Sequence, residues 1–236
     1  MFSALVLSMV YVSSCQADCI ILLHGLARSE GSMKPLERHL VKAGYIVVNV
    51  GYPSRKHGIA ALASDSLSSA IAECPSGGFH VVTHSMGGIL VREYMNDPLR
   101  VSEIVGEKAV RRLKRVVMLG PPNSGSEVVD TLGNYPGFHF LNGDAGMQLG
   151  AGLDSVPNKL GPASFDVGII AGNKSVSPVL SKIIPGPDDG KVSVESTRLA
   201  GMKDHIVLPV THTFMMKNSK VMDQVVFYIQ NGRFKR

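Results

Sequence analysis

The chain has 236 residues, with 44% hydrophobic and 18% charged residues, which excludes intrinsic disorder and is ample for one large buried core. There is no collagen-type repeat, no heptad series and no internal apolar run long enough to span a membrane. The 24 Lys and Arg against 19 Asp and Glu leave a net charge of +5, which reads as solubility, and no nucleic-acid-binding signature accompanies it.

The chain opens on an apolar stretch, Phe2 to Val12, followed by Ser13, Ser14, Cys15, Gln16 and Ala17. Its length suits a signal-peptide core, with Cys15 and Ala17 as the small residues before a cleavage after Ala17. Residues 1–17 are therefore expected to be a leader and 18–236 one domain, placed in the periplasm or secreted. Two other readings of the leader stay open. One is a lipid-modified N-terminus at Cys15, and the other is a buried first strand.

Beyond the leader, strands and helices alternate. Ile20 to Leu23 is a short apolar run, as in a strand buried on both faces. Met33 to Ala43 reads as a helix stopped by Gly44, and Tyr45 to Val50 as a strand. Ile59 to Glu73 has helical apolar spacing. Phe79 to Thr83 is strand-like and Gly87 to Asn96 helix-like. Arg115 to Leu119, Asp166 to Ala171 and His205 to Leu208 follow as strands, and Ser219 to Gln230 closes the chain as a helix. The basic run Arg111, Arg112, Lys114, Arg115 is read as a solvated entry to its strand. The alternation predicts an α/β fold with a mostly parallel central sheet and helices on both faces. Ligands then sit at the C-terminal ends of the strands. The Gly-, Pro- and Asn-rich stretch from about 120 to 165 is too long for a plain connection and is expected to be a cap-like insertion without a large lid.

Cys19 begins the first strand and Cys74 ends a helix just before a neighbouring one. In a parallel sheet both fall at the N-terminal end, away from the ligand side. A Cys19–Cys74 disulfide is expected, which fits an oxidising compartment.

Chemistry gathers at three strand ends. His84-Ser85-Met86-Gly87-Gly88 follows a strand and opens a helix, the layout of a nucleophile elbow, with Thr83 where the usual pattern has Gly. His24-Gly25-Leu26 follows the first strand. Its Leu26 N–H and the N–H of Met86 are candidate oxyanion donors, and His24 is expected to shape the loop. Leu22-Leu23-His24-Gly25-Leu26 and His84-Ser85-Met86-Gly87-Gly88, with the order of elements, resemble the α/β-hydrolase superfamily and in detail its small bacterial lipases and esterases. Pro121-Pro122-Asn123-Ser124-Gly125-Ser126 also resembles a segment of such lipases. The resemblance implies acyl hydrolysis by a Ser-Asp-His triad.

Ser85 is then the nucleophile. The loop Pro187-Asp188-Asp189-Gly190 resembles the lipase acid loop, in which Asp directly precedes Gly, so Asp189 is the expected acid with Asp188 as the alternate. His212, just past the last strand and after the acid in chain order, is the expected base. Phe138, Phe140, Leu141, Met147 and Leu149 of the insertion, with Phe214, Met215 and Met216, are candidates for an apolar acyl wall. No metal or cofactor motif is present, so no cofactor is expected. The expected substrate is a small-molecule or lipid ester, soluble esters being turned over without an interface by a monomer that is able to meet a membrane surface. An acyltransferase or thioesterase with the same triad, and a catalytically silent binding protein, are the competing readings.

Overall fold

The computed structural model describes residues 17–75, 77–96 and 111–236. Residues 1–16 of the expected leader, including Cys15, lie outside the described residues.

Six strands form one parallel sheet in the order β2-β1-β3-β4-β5-β6. They are β1 (Cys19–Leu23), β2 (Ile46–Val50), β3 (Phe79–His84), β4 (Leu113–Leu119), β5 (Val167–Gly172) and β6 (Asp204–Leu208). Helix α1 (Lys34–Lys42) joins β1 to β2, α2 (Ile59–Glu73) joins β2 to β3, and α3 (Met86–Asn96) follows β3. Within the 120–165 stretch lie α4 (Glu127–Leu132) and α5 (Phe138–Met147), and α6 (Ser219–Asn231) closes the chain. Element boundaries fall within two residues of the sequence expectation.

Strand alternation builds two cores. Ile21, Leu23, Val81, Val116, Met118 and Ile169 face α2 and α3, while Ile20, Leu22, Val82, Val117 and Ile170 face α1 and α6. Every residue of β1, β3 and β5 is buried, because helices cover both faces; that is why β1 reads as a continuous apolar run rather than an alternating one. Burying each such side chain contributes about 1.5–3 kcal/mol. The fit of helix on sheet is close at Gly168, where an added Cβ would stand 2.3 Å from the Tyr228 ring of α6.

The chain lays β1 down, steps to one side for β2, and returns to the other side for β3. The order therefore reverses at β1, and a crevice opens above the C-terminal ends of β1 and β3. At the opposite end Cys19 and Cys74 are joined in a disulfide with Cα atoms 5.8 Å apart. The basic run is stitched into this end instead of standing free in solvent. Arg112 Nε–H donates to Gly77 O at 2.8 Å, and Lys114 Nζ pairs with Asp18 at 2.6 Å. Arg115 donates to the last turn of α6 at Ile229 O. Carbonyls left open at helix and loop ends attract these cations.

The insertion is held by a residue that looks like a surface cation in the sequence. Arg92 of α3 is buried and donates to Asn123 O, Pro157 O and Gly161 O at 2.8–2.9 Å. Its five fixed donors tie three separate points of an otherwise irregular segment to the main body.

Candidate active site

Ser85 sits between β3 and α3 with φ +54°, one of two non-glycine residues in the left-handed region among those described. A non-glycine residue there costs of the order of 1–3 kcal/mol and persists only where its surroundings impose it. The imposing contacts are visible. Ser85 N–H donates to Leu119 O at 2.8 Å, and Gly88 N–H donates back to Ser85 O at 3.0 Å. A Cβ on Gly87 would stand 2.8 Å from Leu23 O, and one on Gly25 would stand 3.0 Å from the Ser85 Cβ. Only glycines at 25 and 87 let β1, β3 and α3 converge this closely. Thr83, where the usual pattern has Gly, is fully buried at the end of β3.

Met86 opens α3, so its N–H has no partner inside the helix. Among the described residues no acceptor engages the Leu26 N–H either. The Leu26 loop is braced from beneath. His24 stacks on Tyr52 with ring centroids 3.9 Å apart, and its Nδ1–H donates to Gly25 O at 2.9 Å. The Tyr52 hydroxyl donates to His24 O, and Ala27 N–H donates to Ser54 Oγ at 3.0 Å. Burial holds the His24 imidazolium form down, shifting its pKa below the ordinary value. His24 thus shapes the loop, and Tyr52 and Ser54, which sequence reasoning missed, share that task.

Asp189 and His212 are joined: the His212 Nδ1–H donates to Asp189 Oδ2 at 2.7 Å, and both side chains are buried. The other carboxylate oxygen accepts the backbone N–H groups of Lys191 and Val192 at 3.0 and 2.9 Å. This arrangement assigns the proton to Nδ1 and leaves Nε2 as a free acceptor. Asp188 is turned away and bonds Gly190 N–H and the Ser181 hydroxyl. Gly120, missed in the sequence, makes the pair fit: its φ is +54°, and a Cβ there would stand 3.0 Å from Asp189 Oδ2 and 3.1 Å from His212 Nδ1.

His84 supports His212 from the other side. Its Nε2–H donates to the His212 carbonyl at 3.0 Å, and the two rings lie 4.7 Å apart. Burial, then the neighbouring His212, pushes its pKa well below the usual value, so His84 is a neutral brace.

Ser85, His84 and His212 line one cleft of about 250 Å³ together with Leu26. No hydrogen bond joins Ser85 Oγ to His212 among those of the described residues; such bonds are often long before substrate enters and tighten on binding.

The apolar wall differs from the sequence expectation. Phe138 lines the cleft, as does Leu149. Phe140, Leu141, Met147, Phe214, Met215 and Met216 do not. On α5, Phe138 and Asn142 are four residues apart and share the inner face. Phe140 then points outward, 84% exposed, with Leu141. A kink at Gly143 turns Met147 to another surface. Phe214 lies half-exposed under the Lys217 ammonium. Met215 is buried behind the Asp189–His212 pair, its Sδ 3.2 Å from a Cβ placed on Gly120. The wall is instead supplied by Val128, Val129 and Leu132 of α4, with Leu180 and Val192. Their signal was the single-turn spacing of Val128, Val129 and Leu132.

No family model and no curated protein sequence matches the chain. Solved structures do. Bacillus licheniformis lipase BlEst2 in its mature form superposes with a TM-score of 0.71 over 94% of this chain and 96% of that one, at 18% identity. The chain has the α/β-hydrolase fold. Phospholipase PlaB from Legionella pneumophila (TM-score 0.64, 15% identity, 92% of this chain and 59% of that one) is similar over most of this chain. So is polyneuridine aldehyde esterase (0.55, 14%, 92% and 100%). At these identities the shared property is the fold, and the chemistry rests on the residues of the cleft.

Proposed function

We propose that the chain is a serine carboxylic-ester hydrolase working through an acyl-enzyme in an oxidising, extracytoplasmic compartment. The observation that carries this reading is the strained Ser85, held at φ +54° in the same cleft as a histidine oriented by a buried carboxylate. The lipase, esterase and phospholipase that share the fold support it, and the disulfide supports the compartment.

The chemistry follows from the donors and acceptors. His212 Nε2 takes the Ser85 proton as Oγ attacks the ester carbonyl. The resulting oxyanion accepts the N–H groups of Leu26 and Met86, each worth about 2.7–4 kcal/mol. Asp189 stabilises the imidazolium and keeps its ring in place. As the carbonyl reforms, the C–O bond to the alcohol breaks and His212 gives its proton to the departing oxygen. Water then enters, loses a proton to His212, attacks the acyl carbonyl and releases the acid with Ser85 reprotonated.

The test is hydrolysis of p-nitrophenyl esters from acetyl to palmitoyl by wild type, Ser85→Ala and His212→Ala. We expect each variant to lose at least about 10³-fold in kcat with folding intact. Variants that match wild type would dismiss this pair. A folded wild type that cleaves no ester would dismiss the reading.

A further inference from the structure

The cleft lining carries two kinds of chemistry. One is the apolar wall of α4. Arg28 and Lys191 line the same cleft with Ser85 and His212. A second cavity adjoins the first, shares Ala27 and Arg28 with it, and is lined by Ser29, Ser32, Thr213 and Lys217. No carboxylate lines either cavity. Among the described residues none of the three cations is held in an ion pair. Arg28 and Lys217 thus line the second cavity with three hydroxyls, and Arg28 is shared with the first cavity, where Lys191 stands.

The direction of catalysis says which part of a substrate meets them. On the proposed mechanism His212 hands its proton to the departing oxygen, so the alcohol part lies on the His212 side. Thr213, the next residue, is in the wall of the second cavity. The acyl chain then takes the α4 side. Cations gathered in a concave, carboxylate-free space focus a positive potential and draw anions. The field is felt locally: Arg28 and Lys191 both help hold the His84 imidazolium down, after burial and His212. Arg28 also lowers the Lys191 pKa, second to burial and against Asp189.

We infer that Arg28, Lys191 and Lys217 form an anion subsite on the leaving-group side, and that the preferred ester carries a phosphate or similar oxyanion group in its alcohol part. This rests on the ester-hydrolase reading and narrows its substrate class. The anionic group belongs either to a lipid headgroup or to a small soluble ester.

The experiment compares 4-butyryloxybenzenesulfonate with 4-butyryloxybenzamide, two esters of similar leaving-group demand that differ in charge, for wild type and for the double variant Arg28→Gln/Lys217→Gln. At low salt the charged ester should be favoured about tenfold in kcat/KM, with the preference shrinking as salt screens it. The double variant should bring the ratio near one. Vesicles of phosphatidylglycerol against phosphatidylcholine with the same acyl chains identify the source. A matching preference there assigns a lipid headgroup, and a preference confined to the soluble pair assigns a soluble ester. If both soluble esters are cleaved equally by wild type, the anion subsite is wrong and the hydrolase reading stands. If neither is cleaved, the hydrolase reading fails, and calorimetry with phenyl phosphate decides the subsite alone. Binding that the double variant loses sustains it, and no binding to wild type overturns it.

Discussion

The two ends of the parallel sheet are built on opposite principles. At the N-terminal end the chain is tied down by the Cys19–Cys74 disulfide, the Lys114–Asp18 pair and the Arg112 and Arg115 bonds to carbonyls. At the C-terminal end it is strained and crowded. Ser85 and Ala27 are non-glycine residues at positive φ, and Gly25, Gly87 and Gly120 sit where a side chain would collide with the cleft machinery. The ties secure the sheet at the end away from the cleft, which lets the other end hold polar groups in costly geometry. Changes at one end should then affect rate, and changes at the other should affect stability.

The largest separation is expected at Gly120. Gly120→Ala forces a Cβ against the Asp189–His212 pair at a positive φ, and misplacing a catalytic group by a fraction of its reach costs about 10²-fold. We expect that loss in kcat, measured with p-nitrophenyl butyrate, with less change in KM. A near-normal kcat would mean the pair relocates freely.

The opposite end is probed by Cys19→Ser/Cys74→Ser. The loop-entropy model gives the bridge about 4 kcal/mol. Denaturant unfolding should register that loss, while kcat/KM per folded molecule stays as in wild type. A loss of activity at full stability would break the division between the two ends.

Acid should weaken both ends through buried histidines. His24, His80 and His84 all have pKa values lowered, with burial the largest cause in each. The unfolded chain therefore binds more protons, and stability is fully present above the unfolded histidine pKa of about 6.5. It falls as pH drops below that value, by up to about 1.4 kcal/mol per pH unit for each site that stays neutral. Thermal melts from pH 8 to 5 should show this, and His84→Gln should flatten the curve. A melting temperature flat across that range would contradict it.

The smallest effect concerns strain. Ser85→Gly should abolish hydrolysis yet stabilise the fold by about 1 kcal/mol, because glycine adopts φ +54° without penalty. Destabilisation would mean the serine side chain contributes more to packing than its strained backbone costs.

How much of this was readable beforehand follows from where each residue's partners lie. Strands buried on both faces announce themselves as apolar runs, so the sheet was legible. The elbow and the Leu26 loop are contiguous segments, so their residues could be named. Asp189 and His212 required chain order and a family resemblance, and their contact became visible only in three dimensions. The apolar wall was half-legible: α4 is too short to show a period, and Phe140 and Leu141 looked suitable until α5 turned them outward. Arg92 was illegible, because a cation on a helix looks solvated until four bonds to a distant loop bury it. Tyr52 and Gly120 likewise gain meaning from neighbours far along the chain.

The most direct test of the central claim is covalent labelling. Wild type, Ser85→Ala and His212→Ala would be treated with a fluorophosphonate, and the adducts located by peptide mass spectrometry. A single adduct on Ser85, absent in Ser85→Ala and formed far more slowly in His212→Ala, is the predicted result. No adduct on Ser85 of the folded protein, or equal labelling of all three at another residue, would contradict the account.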